Sequence, residues 1–262
     1  MISAFVLAAF LGAAIFADFV APFDPLKTSS ETFQAPSPKF LFGSDDLGRD
    51  VFSGVVYGAR TSILIGITVA FFSGLIGVFV GAAAGYAGGV WDDFLMRLTE
   101  LFLIPPRFFL VLVIAALFGS SIFNLILILT FTYWTTTARL VRAEVLSLKE
   151  RPFVEASKAM GASSARILFH EILPNALPLI ITQMTLMVGG IILLEASLEF
   201  VGIGDGSQIS WGYMLHNGQH FIRDAWWIIA FPSLALAALV LSLNIVGDAL
   251  NTALNPKARK AS

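Results

Sequence analysis

Residues 61–91 contain no charged side chain at all, and Leu101 to Ala138 contain a single one, Arg107. An α-helix needs about 20 apolar residues to cross a hydrocarbon core about 30 Å thick. A chain with runs of this length is therefore expected to be all-α and polytopic in a membrane. The whole composition agrees: 57% of residues are hydrophobic, 13% are charged, and the mean hydropathy is +0.83. A water-soluble domain could not hide so much apolar surface. The net charge of −2 gives no field suited to nucleic acid.

Six spans are expected, at residues 2–20, 62–86, 99–118, 122–140, 175–200 and 226–247. The first run has no basic leader and no small-residue cleavage site after it, so it is read as a span rather than a signal peptide. Residues 21–60 are rich in turn formers and should form an external loop. Within it, Val51, Phe52, Val55 and Val56 should make one face of a short amphipathic helix lying on the membrane surface. Asp46 and Asp50 lie four apart, with Arg49 and Arg60 available to neutralise them. Residues 61–256 are the transmembrane core, including a loop at 141–174, and 257–262 form a basic tail.

The second span carries Gly66, Ala70 and Gly74, then Gly77, Gly81 and Gly85, a stripe that lets another helix approach closely. Pro105-Pro106 should break or kink the third span. Arg107 beside that break is costly in lipid and should face the bundle interior or an interface. Glu195, inside the fifth apolar run and one turn before Glu199, needs a partner or a proton. Arg107 and Glu195 are the candidates for lining a translocation path. Each has a purely structural alternative, a snorkelling arginine and an internally satisfied carboxyl. His216 and His220 are four apart, but one other histidine and no cysteine leave little for a metal site, so both read as surface residues.

Pro152 to Pro174, PFVEASKAMGASSARILFHEILP, is the one long polar and basic interval in the last two-thirds of the chain. Pro152 suits a first helical turn and Gly161 the left-handed residue past a helix end. Glu155 early and Lys158 late match the helix dipole. Ser163 or Ser164 can cap a second helix, which should stop where Pro174 enters. The result is a helix–glycine–helix protrusion between spans.

This interval resembles the EAA loop of ABC importer permeases, with Glu155-Ala156-Ser157, then Gly161, then Glu171-Ile172-Leu173-Pro174. Ser157 stands for the second alanine and Glu171 for an aliphatic residue. A second stretch, Phe42 to Arg60 (FGSDDLGRDVFSGVVYGAR), resembles the signature of the C-type permease of the dipeptide, oligopeptide and nickel class. LLEASLEFVGIG followed by Ser210-Trp211-Gly212 is similar to a third stretch of that class, with Glu199 in place of its usual serine. The resemblance covers about residues 40–256.

It implies a type I importer permease fold in which the loop is cytoplasmic. Phe153, Glu155, Ala156, Ser157, Lys158, Ala159 and Gly161 would then contact an ATPase subunit. It also implies as partners a second, homologous permease, two ATPases that bind ATP and Mg²⁺, and an extracytoplasmic solute-binding protein touching residues 202–224. The chain itself has no Gly-Lys-Ser/Thr phosphate loop, so no cofactor is expected on it, and it is not expected to be an enzyme. The solute should be a di- or oligopeptide, with nickel and oligosaccharide as alternatives within the class.

Arg139, Arg142, Lys149, Arg151, Lys158 and Arg166 cluster in one loop, and Lys257, Arg259 and Lys260 in the tail. The positive-inside rule makes both cytoplasmic, in a cell membrane. A competing reading is an ion-coupled secondary transporter built on Arg107 and Glu195, which predicts paired broken helices in two repeats. Only one half has a Pro-Pro break. A passive channel or scaffold has no use for the patterned protrusion, and no HExxH or GxSxG supports an intramembrane enzyme.

Overall fold

The structure is a computed structural model and describes residues 2–254. Among the described residues every regular element is helical, with one isolated β-bridge between Ser44 and Asp50. The elements are α1 (Ile2–Ile15), α2 (Ala17–Val20), α3 (Val51–Ala87), α4 (Gly89–Leu103), α5 (Arg107–Phe118), α6 (Ile122–Lys149), α7 (Pro152–Ala159), α8 (Ser164–Arg166), a π-helical turn (Ile167–Ile172), α9 (Leu173–Phe200), α10 (Trp211–Gly218) and α11 (Trp227–Leu254).

Among the described residues, three continuous helices are long and apolar enough to cross a membrane: Val51–Ala87, Ser164–Phe200 and Trp227–Leu254. A fourth candidate is the pair α4 and α5, bent by 80° where Pro105-Pro106 removes two backbone donors. α1 is apolar but only 14 residues long. α6 extends nine residues beyond the expected 140, and its last turns carry Arg139, Arg142, Glu144 and Lys149. The basic tail at 257–262 lies outside the described residues.

Two expectations fail at helix boundaries. First, residues 51–60 are not a separate surface helix; they are the start of α3, so the division at 60/61 falls inside one helix. The reason is local: Asp50 caps α3, its Oδ2 accepting from the Ser53 N–H (2.8 Å) and hydroxyl (2.7 Å). Val51, Val55 and Val56 are buried. Second, Pro174 does not stop the helix. The chain widens into the π turn, the Leu173 N–H reaches back to Leu168 O, and the Glu171 carbonyl is taken by Asn175 Nδ2 at 2.6 Å. A π turn gives the proline ring room and rehouses a freed carbonyl, so α9 continues.

The described chain divides into two compact units. One comprises Met1–Thr68, Leu112–Ile126 and Val188–Val246. Its core gathers the first turns of α3 with Trp211, Met214, Trp227 and Leu239. Trp211 is fully buried and its indole N–H donates to Val55 O at 2.9 Å, while Trp227 donates to Ser44 O at 3.0 Å. Arg49 pairs with Asp45 (2.6 Å) and reaches Asp46 at 4.0 Å, and Arg60 pairs with Asp18 (2.9 Å). The expected neutralisation of Asp50 by these arginines is replaced by its capping role.

The other unit comprises Val69–Val111, Leu127–Met187 and the chain from Gly247. Here Gly77, Gly81 and Gly85 of the small-residue stripe lie against α6, while Gly74 lies against Met184 of α9. A Cβ built on Gly81 would stand 2.4 Å from Ala138 O and 2.8 Å from the Val141 Cβ. Only a residue without a side chain permits that approach. Arg142 on α6 forks onto Asp92 of α4 at 2.5 and 2.6 Å, and Lys149 Nζ donates to Tyr86 O at 2.7 Å. Val141, Val145 and Leu148 then build a core with Val154, Ile167, Ile172 and Ala176.

Candidate functional site

Arg151 is extended (φ −81°, ψ 145°) and Pro152 takes the first helical position, where its missing donor costs nothing. Nine residues later Gly161, at φ +80°, closes the end of α7. The Gly161 N–H donates to Lys158 O (3.0 Å) and the Ala162 N–H to Ser157 O (3.1 Å), the paired bonds of a Schellman end. Ser163 then caps α8, its hydroxyl oxygen accepting from the Arg166 N–H. The first helix, its glycine end and the Ser163 cap therefore stand as expected, while the second helix runs on through the π turn into α9.

An isolated helix of eight residues has no stability of its own in water. Two side chains hold this one: Val154, fully buried in the α6/π-turn core, and Ser157, 8% exposed. They are three apart and so share one face. Phe153, Glu155, Ala156, Lys158, Ala159 and Met160 are all exposed. Ser157 therefore faces inward, unlike the other residues expected to contact an ATPase. Val154 as the anchor and Met160, 80% exposed, were both missed. The 3.6-residue period would have paired Val154 with Ser157 once either was known to be buried.

Beside α7, Ala165, Arg166, Phe169, His170 and Glu171 line an open cleft of about 420 Å³. Glu171, the departure from the aliphatic consensus, is thus a lining residue of this surface.

Arg107 and Glu195 fall in different units, and each has its own partners. Arg107 opens α5, half-buried; its Nη2 donates to Thr136 Oγ1 (3.0 Å) and its guanidinium lies 4.0 Å over the Tyr133 ring. A cation so placed is stabilised by the ring. Glu195 is fully buried; Ser62 donates to its Oε2 at 3.3 Å, and its Oε1 has no hydrogen-bond partner among the described residues.

Glu199, one turn on, accepts from the Ser210 hydroxyl and from the Tyr213 N–H (3.0 Å). It thereby helps Ser210 cap α10, a helix not expected in the 202–224 loop. Residue 199 thus has a structural task that sequence spacing did not show.

In the same loop, the Ser207 hydroxyl (2.6 Å) and N–H (3.0 Å) donate to Asp205 and hold its carboxyl below the usual carboxylate range. His216 is engaged by Phe200 O at 3.0 Å, and α10 ends before His220, so the two histidines do not share one α-helical face.

The family described as binding-protein-dependent transport system inner membrane component matches residues 77–260. The dipeptide transport system permease protein DppC of Alkalihalophilus pseudofirmus is 39% identical over 260 residues, covering 95% of this chain and 86% of that protein. The oligopeptide transport system permease protein OppC of Bacillus subtilis is 37% identical over 249 residues, covering 94% and 82%. Among solved structures, the inward-facing MetNI methionine ABC transporter matches with a TM-score of 0.61 at 22% identity. That match covers 77% of this chain and 96% of the other.

Proposed function

We propose that this chain, which belongs to the family of binding-protein-dependent transport system inner membrane components, carries peptides as one of two permease halves around a shared pathway. It is a permease subunit of an ABC importer. The remaining parts of the reading are six spans, cytoplasmic termini, a homologous second permease, an external solute-binding protein, and two ATPases that bind ATP and Mg²⁺. The six spans are α1, α3, the bent pair α4–α5, α6, α9 with its π turn, and α11. Bending at Pro105-Pro106 lets α4 and α5 count as one crossing. The arginine-rich end of α6 and α7 then face the cytoplasm by the positive-inside rule. A di- or oligopeptide is the solute that the names of the relatives favour.

One observation carries the mechanism: α7 is tethered through a single face and offers every other side chain outward. A packed helix transmits a push only where another body can grip it. Phe153, Met160 and the Glu155/Lys158 pair provide an apolar grip flanked by charge. Behind them, Val154 couples the helix to Val141 and Val145 of α6 and to Ile167 and Ile172 of the π turn. Closure of the ATPases on ATP would displace α7 and, through this core, the spans leading away from it. In this mechanism Arg107 and Glu195 are pathway candidates.

The test is co-purification of the complete transporter with Glu155→Arg and Gly161→Pro variants. ATPases should accompany the wild type and be lost, or hydrolyse ATP without import, in the variants. A wild-type chain that retains no ATPase, yet moves solute alone in liposomes, would sink the reading.

A further inference from the structure

We propose that a single buried water molecule joins Asp50, which caps α3, to Asn217 in the last turn of α10. Asp50 is 3% exposed, and only half of its carboxylate is used. Its Oδ2 accepts from the Ser53 N–H and hydroxyl, whereas Oδ1, also buried, has no hydrogen-bond partner among the described residues. Asn217 Nδ2 is a buried donor without an acceptor among the same residues. Asp50 and Asn217 line one cavity, so an unpaired acceptor and an unpaired donor share the same space.

The cavity offers about 20 Å³ to a water. One water needs ~10–15 Å³, and a small organic solute needs far more. Val51, Ile209, Met214 and Ile228 supply apolar wall, and none of these side chains can pair with either atom. Leaving a carboxylate oxygen and an amide N–H dry in such surroundings costs more than holding one water between them. The water donates to Asp50 Oδ1 and accepts from Asn217 Nδ2, so its two sides match the pair.

A cation is the rival occupant, because Asp45 and Asp46 line the cavity too. Three features disfavour it. Arg49, on the same wall, holds Asp45 at 2.6 Å and reaches Asp46 at 4.0 Å. Asp50 faces the positive end of α3 as its cap. The Asn217 N–H repels positive charge.

The water completes a set of ties between α10 and the segment that begins α3. Trp211, the first residue of α10, donates to Val55 O, and the Tyr213 hydroxyl accepts from Arg49 at 3.3 Å. Asn217 adds the far end of the helix, so α10 is held along its length.

X-ray radiolysis of the full-length chain in nanodiscs tests this, because a short pulse turns a held water into hydroxyl radical, which oxidises a neighbouring thioether. Met214 lines the cavity, and its sulfur lies over Gly54, where a built Cβ would stand 3.2 Å away. Met187 is the control: it is also buried, with its sulfur on the Ser73 and Thr137 hydroxyls at 3.9 and 4.0 Å. Met214 should oxidise about fivefold faster than Met187, since a water making two bonds inside the protein stays beside it. Asn217→Leu, which removes the donor and fills the space, should bring Met214 down to the rate of Met187. Equal rates in the wild type, or an Asn217→Leu rate as fast as the wild type's, overturn the proposal. Should Asn217→Leu not fold, the wild-type comparison decides by itself. Exchanging sodium and potassium for choline, with a chelator present, should leave the Met214 rate unchanged. A rise there means that a cation held the cavity, and overturns the proposal as well.

Discussion

Val154→Ala should loosen α7 while leaving the spans intact. Val154 is fully buried against α6 and the π turn. The change removes two methyl groups, worth about 1.6 kcal/mol in transfer at about 0.8 kcal/mol per carbon. An unrelaxed void of about 40 Å³ adds about 1 kcal/mol at ~24 cal/mol per Å³. Because α7 is too short to stand alone, that loss of about 2.5 kcal/mol falls on its local opening rather than on the whole fold. A factor of ten per 1.4 kcal/mol then speeds exchange of the amides closing the helix about 60-fold. These amides belong to Met160, Gly161 and Ala162, which donate to Ala156, Lys158 and Ser157. Hydrogen exchange by mass spectrometry in nanodiscs reads this on a fragment covering 152–162, with 125–138 of α6 as the internal control. A rise below threefold, or an equal rise in the control, would refute the account of Val154 as the main apolar anchor of α7.

Gly161→Ala should cost about 1–2 kcal/mol of the same local stability, because φ is +80° while nothing lies within 4 Å of the added methyl. Exchange at Ala162 measures it, and an unchanged rate means the left-handed residue is dispensable. Gly81→Leu should abolish folded expression, since even a Cβ would stand 2.4 Å from Ala138 O, whereas Gly12→Ala, with nothing within 4 Å, should express normally. Fluorescence-detected size-exclusion chromatography distinguishes the two; equal monodispersity would show that α3 and α6 do not pack this closely. Asp205 should titrate below the ordinary carboxylate value of about 3.9 and move up toward it in Ser207→Ala. Its folded value is depressed, so its contribution to loop stability is present above the unfolded value and is lost as pH falls through the folded one. Carboxyl-carbon NMR of selectively labelled protein follows the midpoint, and a midpoint unmoved by Ser207→Ala refutes the assignment.

Part of this molecule was legible residue by residue. The uncharged runs required helices of membrane length. Pro152, Gly161 and Ser163 marked the ends of the protruding helices from their own backbone chemistry, and the glycine stripe announced a close helix contact. Asp50 offered a readable signal that went unused: an aspartate followed three residues later by serine is an N-cap pattern, and it starts α3 eleven residues before the expected span. Pro174 misled because a proline's cost is local only if the preceding turn stays α-helical. Here the turn before it is π-helical, which makes room for the ring.

Sequence alone therefore determined what depends on one residue or on its period along a helix: fold class, most helix ends, and the polar protrusion. Tertiary structure decided which partner each charge found and which face of α7 was anchored. Arg49 chose Asp45, Arg142 chose Asp92, and Val154 with Ser157 turned inward, leaving Phe153 and Met160 out. Those choices rest on which side chains distant in sequence lie within a few ångströms. A salt bridge or a van der Waals contact decays over that same distance, so no pattern within one segment can encode them.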